Sequence, residues 1–463
     1  MTGCTPERPE AAALPEAATL PEAATLPEAV ALPEAVASPA GPRVIVIATK
    51  NPGKLREITP VLAPALGVLG WDAAPLDPLA PDVTEDAATF AGNAAKKALA
   101  AAAWSGRPAL AEDSGLEVDA LGGAPGVLSA RYSGRGPAAN NRMLLEAMAG
   151  VPPDRRTARF RTVAVLKVPD GPLLAAVGAA EGEILPSPRG EGGFGYDPVF
   201  YSYDLKRSFA EVATEVKLRV SHRSRALRAL RGFLFEILPA ARRELTVPDH
   251  ASCLAALREA GCPPGLIEHQ LAVARVSREM ALRLLEAGRP VDPVLTAGAG
   301  LLHDIGRAFE LKGARGPAAP AGVTPHAFLS AAWCAERGLD ARLQRIVLVH
   351  GLDSLLDDTY APRTWEERIV MFVDKSIENG RFVGFEQRLQ ELRRRYPGAV
   401  RLISASAPAL QRLESELAEA AGLETDRLRV ELQRCLEVRI LPDSAGTAEL
   451  EAALAALAPP ARL

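Results

Sequence analysis

The sequence predicts an α/β domain followed by an all-α region, with a low-complexity disordered tail in front. Three observations carry this. Up to about residue 245, apolar β-branched runs alternate with stretches of helical periodicity, the pattern of strands and helices in one layered domain. From about residue 251 the strand signals nearly vanish and helical periodicity dominates. Residues 14 to 37 repeat a hexamer, LPEAAT, LPEAAT, LPEAVA, LPEAVA. Proline at every sixth position forbids a continuous helix there, and alanine and glutamate bury no core. The 463-residue length suits two domains plus tails. The expected units are 1–42 (tail), 43–245 (α/β), 251–400 (all-α) and 401–463 (helical extension).

Taken in order, Val44 to Ala48 is an unbroken apolar run, the mark of a strand buried on both faces. A helix follows from Lys54, and further helices are expected around 89–104 and 137–149. Strands are expected at Ala109–Ala111, Arg159–Lys167, Ala175–Leu185 and Val199–Tyr201. "ILPAARRELTVPDHAS" reads as a closing helix and short junction, and "AELEAALAALAPPARL" as an alanine-rich terminal helix.

The chain is 48% hydrophobic and 24% charged, as soluble globular domains are. A formal net charge of −4 provides no basic field for nucleic acid. No long uncharged apolar run suggests a membrane span, and the N-terminus lacks the pattern of a secretory signal. Cys4, Cys253, Cys262, Cys334 and Cys435 are scattered without a CxxC pair, which points to reduced thiols and a cytoplasmic location.

Two groups of residues carry chemistry. In the first, "ATKNPGKLRE" is a strand, a polar turn and a helix start, where backbone N–H groups and a helix terminus attract anions. Thr49 and Asn51 add neutral donors and Lys54 a charge; the turn is not a Walker loop. "LAEDSGLEVDAL" ends a short strand with Glu112 and Asp113, followed by Ser114, at the end of an α/β strand where ligands bind. "GGFGYDPVF" brings Phe194, Tyr196 and Asp197 in a glycine-rich turn suited to stacking on a planar ring. "VKLRVSHRSRAL" adds Lys217, His222 and Arg223, with Ser221 or Thr214 as helix cap. Taken singly, each is equally an ordinary turn or a solvated loop.

In order and spacing, "TKNPGKLREI", "EDSGLEVDALGGAPGVLSARYSG", "GGFGYDPVF" and "SHR" together resemble the Ham1/inosine triphosphate pyrophosphatase family, over roughly residues 43 to 235. The resemblance implies a mixed central sheet flanked by helices. It also implies hydrolysis of inosine, deoxyinosine and xanthosine triphosphates to monophosphate and pyrophosphate, with Mg²⁺, in a homodimer. Carried over by position, Thr49, Lys50, Asn51, Pro52, Gly53 and Lys54 hold the phosphates, with Lys97 reaching them from the next helix. Asp113 is the implied general base and metal ligand, and Ser114 a substrate contact. Phe194, Gly195, Tyr196, Asp197, Lys217, His222 and Arg223 frame the base. The chemistry is coherent. Metal and lysine neutralise charge on leaving pyrophosphate, a carboxylate prepares water, and donors facing O6 and N7 select a 6-keto purine over adenine. One departure stands out: the family usually carries "TFEENA", and here "TFAGNA" puts Ala91 and Gly92 in place of both acids. Nearby Glu85 takes the metal role in this assignment, a solvated loop acid being the alternative.

The second group is histidine-rich. Four of the six histidines, His269, His303, His326 and His350, fall close together, with Asp304 adjoining His303 and Asp374 ending "IVMFVD". Their successive spacings are each about one helix plus a turn, apart from the adjacent pair, so successive helices can present ligands to one centre. Imidazole with carboxylate suits Mn²⁺, Fe²⁺, Ni²⁺, Co²⁺ or Zn²⁺ better than Mg²⁺. On a continuous helix His303 and Asp304 would diverge by about 100°. "HDIG", "IEHQLAVA" and "EERIVMFVDK" resemble the HD phosphohydrolase superfamily over about 260 to 380. His269, His303, Asp304 and Asp374 match its mononuclear core, and His326 and His350 the extra ligands of two-metal members. Substrate contact is the alternative for the last two. "RAFELKGARGPAAP" reads as a loop near the site, with Arg307 and Lys312 as phosphate contacts or solvated cations. Fusion suggests that the second site hydrolyses the monophosphate released by the first. The alternatives are a separate signalling nucleotide and a non-catalytic nucleotide-sensing module.

Overall fold

A computed structural model of the chain describes residues 43–238, 246–312, 318–441, 444 and 447–455. The hexamer tail and parts of the expected junction, the loop after His303 and the terminal helix lie outside the described residues. The chain opens with β1 (Val44–Ile47), α1 (Pro52–Leu69), β2 (Asp72–Pro75), α2 (Phe90–Ser105) and β3 (Ala109–Val118). α3 (Pro137–Ala147) leads into the long hairpin of β4 (Thr157–Lys167) and β5 (Leu173–Ile184), then β6 (Phe200–Ser202) and β7 (Arg207–Ser208). α4 (Thr214–Lys217), α5 (His222–Arg231) and α6 (Leu234–Ile237) follow.

The sheet runs β2-β1-β3-β4-β5-β6-β7, with one further strand from the far end of the chain joining β5. β1 lies parallel to β2 and β3, and the rest of the ladder is antiparallel, so the sheet is mixed. β1 is "VIVI", buried on both faces as its β-branched run requires. α2 lays Ala94, Ala98, Ala101 and Ala102 against the sheet, and small side chains allow that close approach. On the other face, α5 crosses β5 at Gly178, where a Cβ would stand 2.0 Å from the His222 carbonyl oxygen. That contact brings His222 and Arg223 down onto the sheet.

The sequence reading of β3 needs correction. It continues past Ala111 to Val118, so Glu112, Asp113 and Ser114 lie within the strand and pair with Ala164, Val163 and Thr162 of β4. β2 and β7 were not anticipated: "DAAP" and "RS" are too short and too poor in β-branched residues to register.

The second region is helical, as expected from its periodicity. It comprises α7 (His250–Glu259), α8 (Pro264–Glu286), α9 (Pro293–Leu302), α10 (Gly306–Leu311), α11 (Pro325–Glu336), α12 (Ala341–Leu348) and α13 (Trp365–Asp374). The small ribbon β8 (Ile377–Glu378) and β9 (Arg381–Phe382) precedes α14 (Phe385–Arg395), α15 (Val400–Ala420) and α16 (Thr425–Arg434). β10 (Arg439–Leu441) then returns to the first sheet, antiparallel to β5, and α17 (Thr447–Ala455) packs beside α2. Two readings are corrected here. His303 and Asp304 occupy a turn between α9 and α10 rather than a continuous helix, and Arg307 to Leu311 are helical rather than loop.

The two regions share a charged, buried seam. Arg231 of α5 is fully buried, donating to Glu279 of α8 at 2.9 and 3.0 Å and also pairing with Glu286. Arg225 and Arg283 both reach Glu431 of α16 at 3.2 Å. Leu282 of α8 belongs to the apolar cluster beneath α1 and α5. Buried pairs of this kind cost much desolvation and hold only if every partner stays in place.

Candidate functional site

Thr49 to Lys54, Glu85, Lys97, Asp113, Ser114, Phe194 to Asp197, Lys217, His222 and Arg223 all line one cavity of about 990 Å³. The turn after β1 is built around Asn51, the N-cap of α1. Its carboxamide oxygen accepts from the Gly53 and Lys54 amides at 2.8 and 3.3 Å, and Thr49 Oγ1 accepts from the Asn51 amide. Three of the turn's amides are therefore already engaged, which shifts the attraction for anions onto side-chain cations. Lys50 reaches Asp82 on the rim at 2.7 Å. Lys54 points inward and sits 2.7 Å from the buried Glu112. Burial alone would raise the Glu112 carboxyl; Arg223 and Lys54 outweigh it and hold the group ionised far below its ordinary range.

Asp113 occupies the adjacent strand position. Asn93 of α2 donates to its Oδ2 at 3.1 Å, and Lys97 Nζ lies 3.6 Å from Oδ1 and 2.8 Å from Glu85. Burial raises the Asp113 carboxyl despite these cations. Glu85 and Asp113 thus flank one lysine, an oxygen-donor pair of the hard type that Mg²⁺ favours.

A chain of ion pairs joins further residues around the same cavity. Glu57 of α1, buried, accepts from Lys217 at 2.8 Å and pairs with Arg223; Lys217 also meets Asp197 at 2.6 Å. Arg223 donates to Ser114 Oγ at 2.9 Å. Asp197 accepts from the Phe194 amide, and the Phe194 ring lies 5.0 Å from Lys217 Nζ. Tyr196 behaves otherwise than its motif suggests: it is buried and its hydroxyl donates to the Ser129 carbonyl, so Phe194 is the ring left to stack. His222 stacks on Phe160 at 4.7 Å, and burial, reinforced by Arg223, keeps it neutral. Sequence reasoning missed Glu57, Asn93 and Phe160. Glu57 alone left a trace, as an acid on the inward face of α1 with Ile58 and Val61.

The second group converges as well. His269 Nε2 and His303 Nε2 lie 2.9 and 3.4 Å from Asp374 Oδ1. His326 and His350 approach Asp304 Oδ1 at 3.4 and 3.3 Å. His303 Nδ1 donates to the Gly300 carbonyl and His350 Nδ1 to the Val347 carbonyl, turning each Nε2 lone pair toward the centre. His303 Nε2, His350 Nε2 and Asp304 Oδ1 are buried without a well-formed hydrogen bond. Burial lowers His326 and His350, keeping them neutral. Three overlapping triads, His269–His303–Asp304, His303–His350–Asp374 and Asp304–His326–His350, each gather their ligand atoms within 4.8 Å. Orphaned imidazole nitrogens facing two carboxylates are what a divalent transition ion fits. Arg307 contacts Asp304 at 2.6 Å and Lys375 pairs with Asp374, whereas Lys312 turns away to the Ala260 carbonyl.

Comparisons with known proteins agree with this division. The Ham1 family model matches residues 45–233 and the HD domain model residues 266–377. A dITP/XTP pyrophosphatase of Desulforamulus reducens is 50% identical over 188 residues, covering 40% of this chain and 92% of its own length. One from Thermus thermophilus is 52% identical over 188 residues, covering 40% and 89%. Among solved structures, the Staphylococcus aureus Ham1 protein is 36% identical, covering 41% of this chain and 97% of its own, with a TM-score of 0.37. The dITP/XTP pyrophosphatase of Mycobacterium abscessus is 42% identical, covering 40% and 97%, with a TM-score of 0.35. Among the described residues, no helix is long and apolar enough to cross a membrane.

Proposed function

Because the chain belongs to the Ham1 family, we propose that it hydrolyses non-standard purine nucleoside triphosphates (ITP, dITP and XTP) to the monophosphate and pyrophosphate, clearing them from the nucleotide pool. The observation that carries this reading is one cavity lined together by the cations Lys54, Lys97, Lys217 and Arg223, the carboxylate of Asp113 and the Phe194 ring. Lys54 and Lys97 meet the phosphates. Glu85 and Asp113 hold Mg²⁺, which supplies charge neutralisation on the triphosphate when bound. Asp113, held by Asn93, orients a water and takes its proton as the α-phosphorus is attacked. Ser114 contacts the substrate beside Arg223. Phe194 stacks on the base, while Lys217 and Arg223, fixed by Glu57, donate to the purine's O6 and N7. Adenine offers an amino donor in that position and is refused. Homodimerisation through the α/β domain belongs to the same reading and is checked by sedimentation.

For the helical region, the reading is a metal-dependent phosphohydrolase acting on a phosphoester, supported by the buried, unpartnered imidazole nitrogens. His269, His303, Asp304 and Asp374 hold one ion, with His326 and His350 joining Asp304 around a second. Such an ion supplies an activated water when bound. Arg307 and Lys375 stand beside the carboxylates as contacts for an anionic substrate. The test is full-length protein with dITP, Mg²⁺ and Mn²⁺, products followed by chromatography. Monophosphate and pyrophosphate are expected, and Asp113→Asn stops their release; no turnover of any of the three triphosphates by the wild type sinks the first assignment. Deoxyinosine appearing only while Asp304 is intact marks sequential action, whereas persistent monophosphate assigns the second site another substrate.

A further inference from the structure

α2 carries Lys97 into the triphosphate cavity and sets the buried Asn93 against Asp113, so the precision of Asp113 depends on how firmly the first turn of α2 is held. Its N-cap is Thr89, whose hydroxyl oxygen accepts from the Gly92 amide at 3.0 Å. A capping box would place glutamate or glutamine at the third helical position. Here that position is Gly92, and the first turn contains no acid at all. The helix terminus that positions Asn93 therefore lacks the carboxylate that would complete its cap and complement its dipole.

A carboxylate arrives from elsewhere. Glu451 of α17, 362 positions further on, accepts a hydrogen bond from the Thr89 hydroxyl. Gly92 makes the space for it: a Cβ there would stand 2.7 Å from Glu451 Oε1 and 2.6 Å from the Ala87 Cβ. Glu451 is delivered by a built segment. β10 pairs with β5, Arg439 donates to the Ala453 carbonyl at 3.2 Å, and Leu450 is fully buried among the alanines of α2. Asn93 in turn accepts from the Ala87 amide at 3.0 Å while donating to Asp113. A continuous path runs from Glu451 through Thr89 and the first turn of α2 to the catalytic carboxylate.

We infer that the β10–α17 segment is a working part of the triphosphate site, with Glu451 a positioning residue that supplies the missing carboxylate at the start of α2. The inference rests on the pyrophosphatase reading above. Through Thr89, Glu451 fixes the rotamer and height of Asn93 against Asp113 without lining the triphosphate cavity itself.

The test compares full-length wild type, Glu451→Ala and Glu451→Gln, with Mg²⁺ present, by amide hydrogen exchange and by steady-state hydrolysis of dITP. In Glu451→Ala the amides of residues 90–94 exchange roughly two- to fivefold faster, less than the loss of the Thr89 cap itself would give. Its kcat falls several-fold while KM changes less, because Lys54 and the base-holding groups lie off α2 and Lys97 stands a turn beyond the loosened residues. Glu451→Gln, which keeps the acceptor, recovers most of both effects. Wild-type exchange and kcat in Glu451→Ala overturn the inference. So does a fall in thermal stability with kcat and KM changed alike and no recovery by glutamine, since that marks a general packing role. A wild type that hydrolyses no triphosphate defeats the functional reading and the positioning claim built on it, while the exchange data still show whether Glu451 holds α2.

Discussion

The two polar centres of this molecule solve opposite electrostatic problems. In the α/β cavity almost every charge already has a partner: Lys54 with Glu112, Lys217 with Glu57 and Asp197, Arg223 with Glu57. In the helical centre His326 and His350 are held neutral by burial, and the buried Nε2 atoms of His303 and His350 converge on carboxylates without a well-formed hydrogen bond. The first is a set of cations fixed in advance, which would keep the reorganisation needed to bind the proposed triphosphate small. The second is a set of lone pairs whose burial is costly until a cation joins them. Preorganised ion pairs accord with the polyanion proposed for the first centre, and orphaned ligands with the metal proposed for the second.

That contrast can be broken at four points. Asp113→Asn keeps the shape of the first cavity and removes its base, so triphosphate hydrolysis falls by about 10²–10⁴-fold. Pyrophosphate release measures it, and metal bound by the helical region stays at the wild-type level. Asp304→Ala works in reverse. Metal content by elemental analysis drops by more than the roughly 10–100-fold affinity loss typical of outer-sphere changes, while pyrophosphate release stays within about twofold, as expected of uncoupled sites. Equal losses at both centres in either variant would erase the distinction. Glu279→Gln strips the buried Arg231 of its main partner and costs about 3–5 kcal/mol, read as an earlier urea midpoint for both regions together. Separate transitions would show the seam to be a weak contact. The mildest probe is pH. Burial favours a neutral Glu431, yet Arg225 and Arg283 outweigh it and hold its carboxyl down at about 2 against an ordinary 4.5. Its contribution is therefore complete above about 4.5 and is lost as pH falls toward 2. Acid unfolding of wild type should begin in that window, and Glu431→Gln should flatten the dependence there.

Much of this was legible in the sequence, and the limits are instructive. β1 and β4 announce themselves through β-branched apolar residues and β5 through the apolar run LLAAV, and the motifs around Lys54, Asp113, Phe194 and Arg223, grouped by family resemblance, line one cavity. β3 was read too short because two acids and a Ser-Gly look like loop, whereas backbone pairing with β4 carries them through the sheet. Asn93 and Phe160 were invisible, since an amide or a phenylalanine gains its role only from what lies across from it. The histidines were easier: a rare residue at helical intervals stands out against its background. Their turn geometry did not stand out, because His303 and Ile305 keep helical dihedrals while the hydrogen-bonded helix is interrupted.

The pairing of β10 with β5 has a consequence for biosynthesis. Chains emerge from the ribosome N-terminus first, at about 5–20 residues per second. The first sheet therefore waits for residues 439–441, through the synthesis of the whole helical region, before that edge of β5 gains its partner. Until then the alanine face of α2 that Leu450 covers is also open. Order of manufacture and order of assembly thus run against each other in this chain. Its first domain is the first to be started and the last to be finished.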